Sequence, residues 1–253
     1  MVTKFNIKTE KIPPLFDNFK ILQISDFHGK DFGSDQQYLV QLIRKCKPDI
    51  IVITGDLIDR DNYDDKASME LVNAAVKIAP VYYVTGNHEW QSGKYLSSLK
   101  SKLESAGVVV LSDENSKIKR GDEEISIVGI DDFTHTGWCE NKEISVSSDV
   151  SKAMAGIPAK DFRIFLAHRP EMINVYAGSR SDLILSGHTH GGQVQIPYIG
   201  AIFAPDQGFF PKYASGEYRI KDSTLIISKG IGNSLIPLRI FCNPEVVLVT
   251  LEK

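Results

Sequence analysis

The stretch Ile50-Ile51-Val52-Ile53-Thr54-Gly55-Asp56 decides the fold. A nearly continuous apolar, β-branched run of this length reads as a strand buried on both faces, and here it stops on a glycine and a carboxylate. Working outward, the same phrase recurs. Residues 20–24 run into Asp26, 81–85 into Asn87, 163–167 into His168 and 183–185 into His188. Between these runs the hydrophobic spacing predicts helices over 36–47, 67–77, 95–105 and 171–177, with Asp64 or Asp65 as N-cap of the second and Gly107 as the stop of the third. Strand and helix alternating from 20 to 107 imply parallel βαβ units. Ligands of such sheets sit beyond the carboxyl ends of the strands, which is where these His, Asp and Asn residues fall. Later segments at 124–130, 218–220, 225–228 and 246–251 read as strands with shorter connections, a second and partly antiparallel sheet. The expected architecture is α/β, with two mixed sheets packed face to face and flanked by helices.

A chain of 253 residues is long enough to bury one large α/β core and short for two average domains, so residues 1–253 are expected to form one domain. With 42% hydrophobic and 24% charged residues the composition is that of an ordinary globular protein. A formal charge of −3 and a pI near 6.1 give no general attraction to nucleic acid, which is not an expected partner. Cys46, Cys139 and Cys242 are odd in number and widely spaced, which argues against a disulfide framework and for a reducing compartment. Residues 1–11 lack the apolar core of a signal peptide, and no run reaches the ~18 apolar residues of a membrane span. The expectation is a soluble cytoplasmic protein without an integral membrane segment, peripheral membrane association being allowed.

Five of the six histidines stand in clusters beside Asp or Asn: Asp26-Phe27-His28, Gly86-Asn87-His88-Glu89, His168, and Gly187-His188-Thr189-His190. Imidazole nitrogens with carboxylate and amide oxygens are donors that Mn, Fe and Zn accept, and the absence of thiolates excludes a zinc finger. Asp56, with two carboxylate oxygens, can bridge two cations. Asn87 can ligate through a neutral amide oxygen and leave His88 free to face substrate. Two histidines one residue apart in a glycine-flanked turn, His188 and His190, are not explained by core packing. The long Gly/Pro-marked segment 187–211 carries Ile199, Ile202, Phe203, Phe209 and Phe210, which either cap the core or wall a substrate site.

Taken together, these motifs resemble the calcineurin-like metallophosphoesterase family over nearly the whole chain. The resemblance implies a four-layer sandwich and a dinuclear centre of two divalent transition-metal ions, Mn first and Fe or Zn as alternatives. Asp26, His28 and His190 would hold one metal, Asn87, His168 and His188 the other, with Asp56 bridging and His88 as the non-ligating catalytic histidine. His188, His190 and Gly191-Gly192-Gln193, together with Ser228-Lys229-Gly230-Ile231-Gly232, look more like the bacterial phosphodiesterase branch, which includes UDP-2,3-diacylglucosamine pyrophosphatases. Residues 55–60 and 87–89 also resemble phosphoprotein phosphatases, in which an acid equivalent to Asp59 supports the catalytic histidine; the paired final histidines argue against that branch.

The expected reaction is cleavage of a phosphodiester or pyrophosphate bond by in-line attack of a metal-bridging hydroxide, with His88 as general acid. The expected substrate is a small phosphate ester, nucleotide-linked or lipid-bearing. A phosphomonoesterase and a non-catalytic scaffold are the competing readings. Asp59 either orients His88 or caps a turn, and Arg60 reads as solvated or salt-bridged rather than phosphate-binding. His135 reads as a surface residue or a substrate contact. Trp138 reads as a packing residue or a stacking platform. The run Asp59, Asp61, Asp64, Asp65 reads as a solvated loop and helix cap. Oligomeric state is open.

Overall fold

The computed structural model describes residues 1–61, 63–137, 141–233 and 238–253. Its first half lays down β1 (Val2–Lys8), β2 (Lys20–Ile24), β3 (Ile50–Thr54), β4 (Val81–Val84) and β5 (Val109–Val110). Helices α1 (Gln37–Cys46), α2 (Lys66–Ala75), the short α3 (Asn87–Gln91) and α4 (Tyr95–Ser105) lie between them. The second half adds β6 (Glu114–Arg120), β7 (Glu123–Gly129), α5 (Lys142–Ala153), β8 (Arg163–Leu166), α6 (Ile173–Gly178) and β9 (Leu183–Ser186). Two short hairpins follow, β10 (Gln195–Ile196) with β11 (Gly200–Ala201) and β12 (Phe203–Ala204) with β13 (Gly208–Phe209). The chain then closes with β14 (Gly216–Ile220), β15 (Ser223–Ile227) and β16 (Val246–Glu252).

Two six-stranded mixed sheets result, ordered β1-β16-β2-β3-β4-β5 and β14-β15-β9-β8-β7-β6. The side-chain alternation along each central strand explains the unbroken apolar runs. On β3, Ile50 and Val52 enter the core between the sheets, whereas Ile51 and Ile53 pack under the helices. On β8 and β9, Ile164, Leu166, Leu183 and Leu185 face the other sheet, and Phe165 and Ile184 face helices. α1, α2 and α4 cover the first sheet through Ile43, Leu71 and Leu99, and α5 and α6 cover the second through Val146, Val150 and Tyr176. Three stacked apolar layers therefore make a four-layer α/β/β/α sandwich, and each fully buried side chain in them is worth about 1.5–3 kcal/mol of hydrophobic stabilisation.

The run at 246–251 corrects one sequence expectation. It lies not in the second sheet but in the first, as β16, parallel to β1 and antiparallel to β2. β1 itself, β6 and α5 carry weaker signals. β6 is a lysine-rich edge with only Ile118 buried, a composition that discourages edge-to-edge pairing. α5 buries only Val146, Val150 and Ala153, and is capped by the Asn141 side chain, which accepts from Ile144 N–H.

Candidate metal centre

Strands β2, β3, β4, β8 and β9 end on the same rim of the sandwich, and each delivers a polar group there. β2 leads to Asp26 and His28, β3 to Asp56, and β4 to Asn87 and His88, all from the first sheet. β8 leads to His168 and β9 to His188 and His190, from the second. All eight side chains are buried, that of His28 being 3% exposed although its backbone is more open.

The backbone is bent hard to aim them. Asp26, His28, Asp56, His188 and His190 have φ of 51°, 50°, 50°, 69° and 50°, values that non-glycine residues rarely take and that cluster at functional sites. Side chains of the site hold these turns. His188 N–H donates to both oxygens of Asp26 at 3.0 and 3.2 Å, and His88 N–H donates to Asp56 Oδ1 at 2.9 Å. Gly55 completes the turn after β3 with φ 87°, where a Cβ would stand 2.5 Å from His168 Nδ1.

Among the described residues four groups of His, Asp and Glu could each hold a metal ion: His28 with Asp59 and His88, Glu171 with His188 and Asp206, and two built on the residues that follow the strand ends. In the first of these last two, Asp26, His28 and His190 converge, with the two Nε2 atoms 3.2 Å apart and His190 Nε2 3.4 Å from Asp26 Oδ1. In the second, Asp56, His168 and His188 converge, with His168 Nε2 3.2 Å from Asp56 Oδ2 and 3.2 Å from His188 Nδ1. Asp56 Oδ2 is also 3.9 Å from His28 Nε2, so one oxygen faces both groups. Asn87 Oδ1 is buried without a hydrogen-bond partner. An orphaned buried amide oxygen is costly, and a cation within its reach would satisfy it.

Outer partners leave the correct nitrogens free. His168 Nδ1 lies 2.7 Å from the Thr54 carbonyl, which accepts its proton and leaves Nε2 as the inward nitrogen; burial would lower the ring, but Asp56 outweighs it and pushes the ring up to about 10, so a metal there would displace the Nε2 proton. His188 Nε2 lies 3.0 Å from Asp206 Oδ2, which leaves Nδ1 pointing inward. Burial and the neighbouring His28 push His190 down to about 3, so it stands as the neutral imidazole that ligation needs. Burial would raise the Asp56 carboxyl, but His168, His88 and His28 outweigh it and hold Asp56 well below the usual carboxylate range. The donor set fits two borderline transition metals.

His88 adjoins these groups and shares His28 in a candidate group of its own with Asp59, its Nε2 4.0 Å from Asp56 Oδ2 and its ring edge-on to His28. Its Nδ1 accepts from Arg60 N–H at 3.2 Å, which places the proton of the neutral ring on Nε2. Asp59 does not hydrogen-bond it. Asp59 Oδ1 stands 3.7 Å from His88 Nδ1 and instead accepts from Asp61 N–H at 2.9 Å. The Arg60 side chain is occupied by Asp61 and Gln91. Asp64 accepts from Lys66 N–H at the start of α2, and Asp65 pairs with Tyr63 and Lys102, so that part of the acidic run is helix cap and surface pair. His135 is tied to the Asp132 carbonyl at 2.9 Å and to Asp149 at 3.6 Å; Trp138 and Cys139 lie outside the described residues.

Four further residues complete the site. Glu89 is fully buried, and its carboxylate accepts from Asp56, Leu57, Ile58 and Gly86 N–H at 2.7–3.1 Å, pinning the β3 and β4 turns together. Burial and Asp56 push its pKa up to about 7. Asp132, Arg169 and Asp206 form a chain behind His188: Arg169 Nε donates to Asp132 Oδ2 at 2.7 Å, and its NH1 pairs with Asp206. The signal for Asp132 was present, an acid just past a strand end like the others. Asp206, from the turn of the β12–β13 hairpin, carries no such signal.

Imidazole, carboxylate and amide donors gathered where the strands of two facing sheets end define a metal-dependent phosphoester hydrolase. The chain belongs to the calcineurin-like phosphoesterase family, whose model matches residues 19–192. It is 31% identical over 258 residues to the uncharacterized metallophosphoesterase YkuE of Bacillus subtilis, covering 99% of this chain and 85% of that protein. It is 31% identical over 237 residues to the phosphodiesterase YaeI of Escherichia coli, covering 92% and 82%. In fold it is similar to a dimetal phosphatase from Danio rerio, with a TM-score of 0.50 and 14% identity over 85% of this chain and 88% of that one.

Proposed function

We propose that residues 1–253 form a single domain that hydrolyses a phosphodiester or pyrophosphate bond at a dinuclear centre. Asp26, His28 and His190 hold one ion, Asn87, His168 and His188 the other, and Asp56 bridges them. The observation that carries this reading is the single Asp56 oxygen facing both ligand groups, and the orphaned buried Asn87 amide oxygen supports it. Mn is the proposed metal, with Fe or Zn the alternatives for metal analysis to decide. Bound there, two divalent ions supply hydroxide near neutral pH and offset phosphoryl charge.

The remaining steps belong to the chain. His88 Nε2–H, beside the ligand groups, donates to a non-bridging or leaving oxygen. Burial holds the His88 imidazole below its ordinary pKa while Asp56 and Asp59 pull it up, so to act as general acid the ring takes a second proton on Nδ1, displacing the Arg60 N–H bond, with Asp59 the carboxylate in reach to accept a hydrogen bond from it. The YaeI relative's designation as a phosphodiesterase supports a diester. The free thiols of Cys46 and Cys242 support a reducing, cytoplasmic setting.

The test is turnover of bis-p-nitrophenyl phosphate against p-nitrophenyl phosphate by Mn-loaded protein, with EDTA as control. Faster diester turnover, abolished by EDTA, is expected. A preference for the monoester would reassign the protein as a phosphomonoesterase, and turnover of neither would overturn the reading. A panel of nucleoside diphosphate sugars, cyclic nucleotides and phospholipid esters then separates nucleotide-linked from lipid-bearing substrates.

A further inference from the structure

The β12–β13 hairpin is held by polar groups rather than by its apolar side chains. Phe203, Phe209 and, just beyond, Phe210 are exposed, and Ala204 is the one buried residue of its two strands. Gln207 fastens the turn between them: its Nε2 donates to the Tyr213 carbonyl at 2.7 Å, and its Oε1 accepts from Tyr213 N–H at 3.0 Å. Asp206, beside it, has φ of 57°, a left-handed conformation that costs a non-glycine residue energy and persists where surrounding structure enforces it. A turn fixed in this way presents the Asp206 carboxylate to His188 and Arg169.

The group of Glu171, His188 and Asp206 already contains a cation. Arg169 NH1 pairs with Asp206 and stands 3.3 Å from His188 Nε2 and 3.7 Å from Glu171 Oε1, so the guanidinium takes the place that a metal ion would have there. It is locked in that position. Nε donates to Asp132 Oδ2 at 2.7 Å, NH2 donates to Thr134 Oγ1 at 3.2 Å, and Cζ lies 4.3 Å from the centre of the Phe133 ring.

His188 Nε2 therefore has two neighbours with opposite demands. The Asp206 carboxylate, at 3.0 Å, only accepts, and the Arg169 guanidinium only donates. In a neutral imidazole one nitrogen carries the proton and the other the lone pair, so the partner that wins at Nε2 also decides what Nδ1 is. Donation to Asp206 leaves the lone pair on Nδ1, the nitrogen that faces His168 Nε2 at 3.2 Å. Acceptance from Arg169 would put the proton on Nδ1 and close that nitrogen to any metal.

One oxygen resolves the conflict. Asp206 Oδ2 is the acceptor both for Arg169 NH1 and for His188 Nε2, so it satisfies the guanidinium and takes the ring proton at once. Glu171 Oε1, beyond hydrogen-bond distance of NH1, does not share this work. Without the Asp206 carboxylate the locked guanidinium would be left as the nearest partner of Nε2, and the ring would turn to the other tautomer.

We propose that Asp206 is a positioning residue that fixes the metal-binding tautomer of His188 against Arg169, which makes the β12–β13 hairpin a working part of the metal centre. The choice lies between two neutral forms of the ring and changes no charge. Its use, to ready Nδ1 for an ion, rests on the proposed dinuclear centre, whereas the tautomer itself does not.

The test is the long-range proton–nitrogen NMR spectrum of the intact, metal-free chain well above the ordinary histidine pKa, with His188 identified by the signal lost in His188→Gln. Wild type is expected to carry the ring proton on Nε2 and Asp206→Ala to carry it on Nδ1. Asp206→Asn, whose Oδ1 still accepts, should keep it on Nε2. Manganese titration of the same proteins, read as free Mn by electron paramagnetic resonance, should show one site weakened about 10–100-fold in the alanine variant. The asparagine variant should lie closer to wild type, and the other site should be unchanged in both. A wild-type ring protonated on Nδ1 would overturn the proposal without recourse to any variant. So would alanine and asparagine variants that share one tautomer, or that lose metal equally at unchanged melting temperature, which would leave Asp206 an anchor of the hairpin alone. Wild type with its proton on Nε2 but no affinity for Mn would refute the dinuclear reading and leave the tautomer assignment standing.

Discussion

Each oxygen of Glu89 takes two backbone N–H groups, so glutamine at this position would turn an NH2 toward two buried donors. Leaving such groups unsatisfied costs about 1–3 kcal/mol each. Glu89→Gln is therefore expected to shift the urea midpoint downward and to weaken metal retention, because the turns it pins carry Asp56 and Asn87; an unchanged midpoint would refute this positioning role. His88 calls for a different experiment. It donates from Nε2 and supplies no ligand in the proposed arrangement, so His88→Ala should retain full metal content. The rate loss should be about 10²–10⁴-fold on diesters with poor leaving groups and much smaller on p-nitrophenyl esters. Equal losses on both would remove the general-acid role. Asp59→Asn should show the same leaving-group dependence with a smaller loss, and no dependence would leave Asp59 a turn-capping residue.

At the scale of elements, the sheets meet at their strand ends only because glycine allows it. A methyl on Gly187 would collide with Ser25 Oγ and Asp26 Oδ2, across the boundary between β9 and β2. Gly187→Ala should cost about 1–3 kcal/mol by overpacking and lower the occupancy of both metals, read by denaturant unfolding and metal analysis together; a fully loaded variant would show that the turn can relax. The central strands were readable from sequence because burial on both faces removes all polar positions, as in β3 and β9. β16 was readable as a strand but not in its sheet, since its pairing with β1 and β2 joins residues more than 220 apart, which local pattern does not encode. α5 and β6 were missed because one narrow stripe, or a single Ile118, is all they bury. The candidate site residues were readable for the same reason that the strands were: His, Asp and Asn directly after an apolar run have no packing role. Glu89, Arg169 and Asp206 act on neighbours brought close by folding, and sequence position alone did not mark Asp206.

For the whole molecule, neither ligand group belongs to one sheet. Asp26 and His28 come from the first sheet and His190 from the second, while Asp56 from the first faces His168 and His188 from the second in the same way. Metal ions held there would join the two halves of the sandwich across its open rim, where the apolar core between the sheets gives way to buried carboxylates and imidazoles. Because such ions bind the folded chain and not the unfolded one, stability should rise with free metal as RT ln(1 + [M]/Kd), about 2.7 kcal/mol per site at 100 times Kd. The melting temperature of EDTA-treated protein is therefore expected to climb with added Mn, with a slope against log concentration that reports two ions. Asp26→Ala removes a ligand from the first group alone and should reduce that slope to one ion, whereas Asp56→Asn, which alters the shared ligand, should flatten it further. A melting temperature indifferent to Mn across the range that restores activity would mean that the sheets hold together without the metals, and that the centre serves chemistry alone.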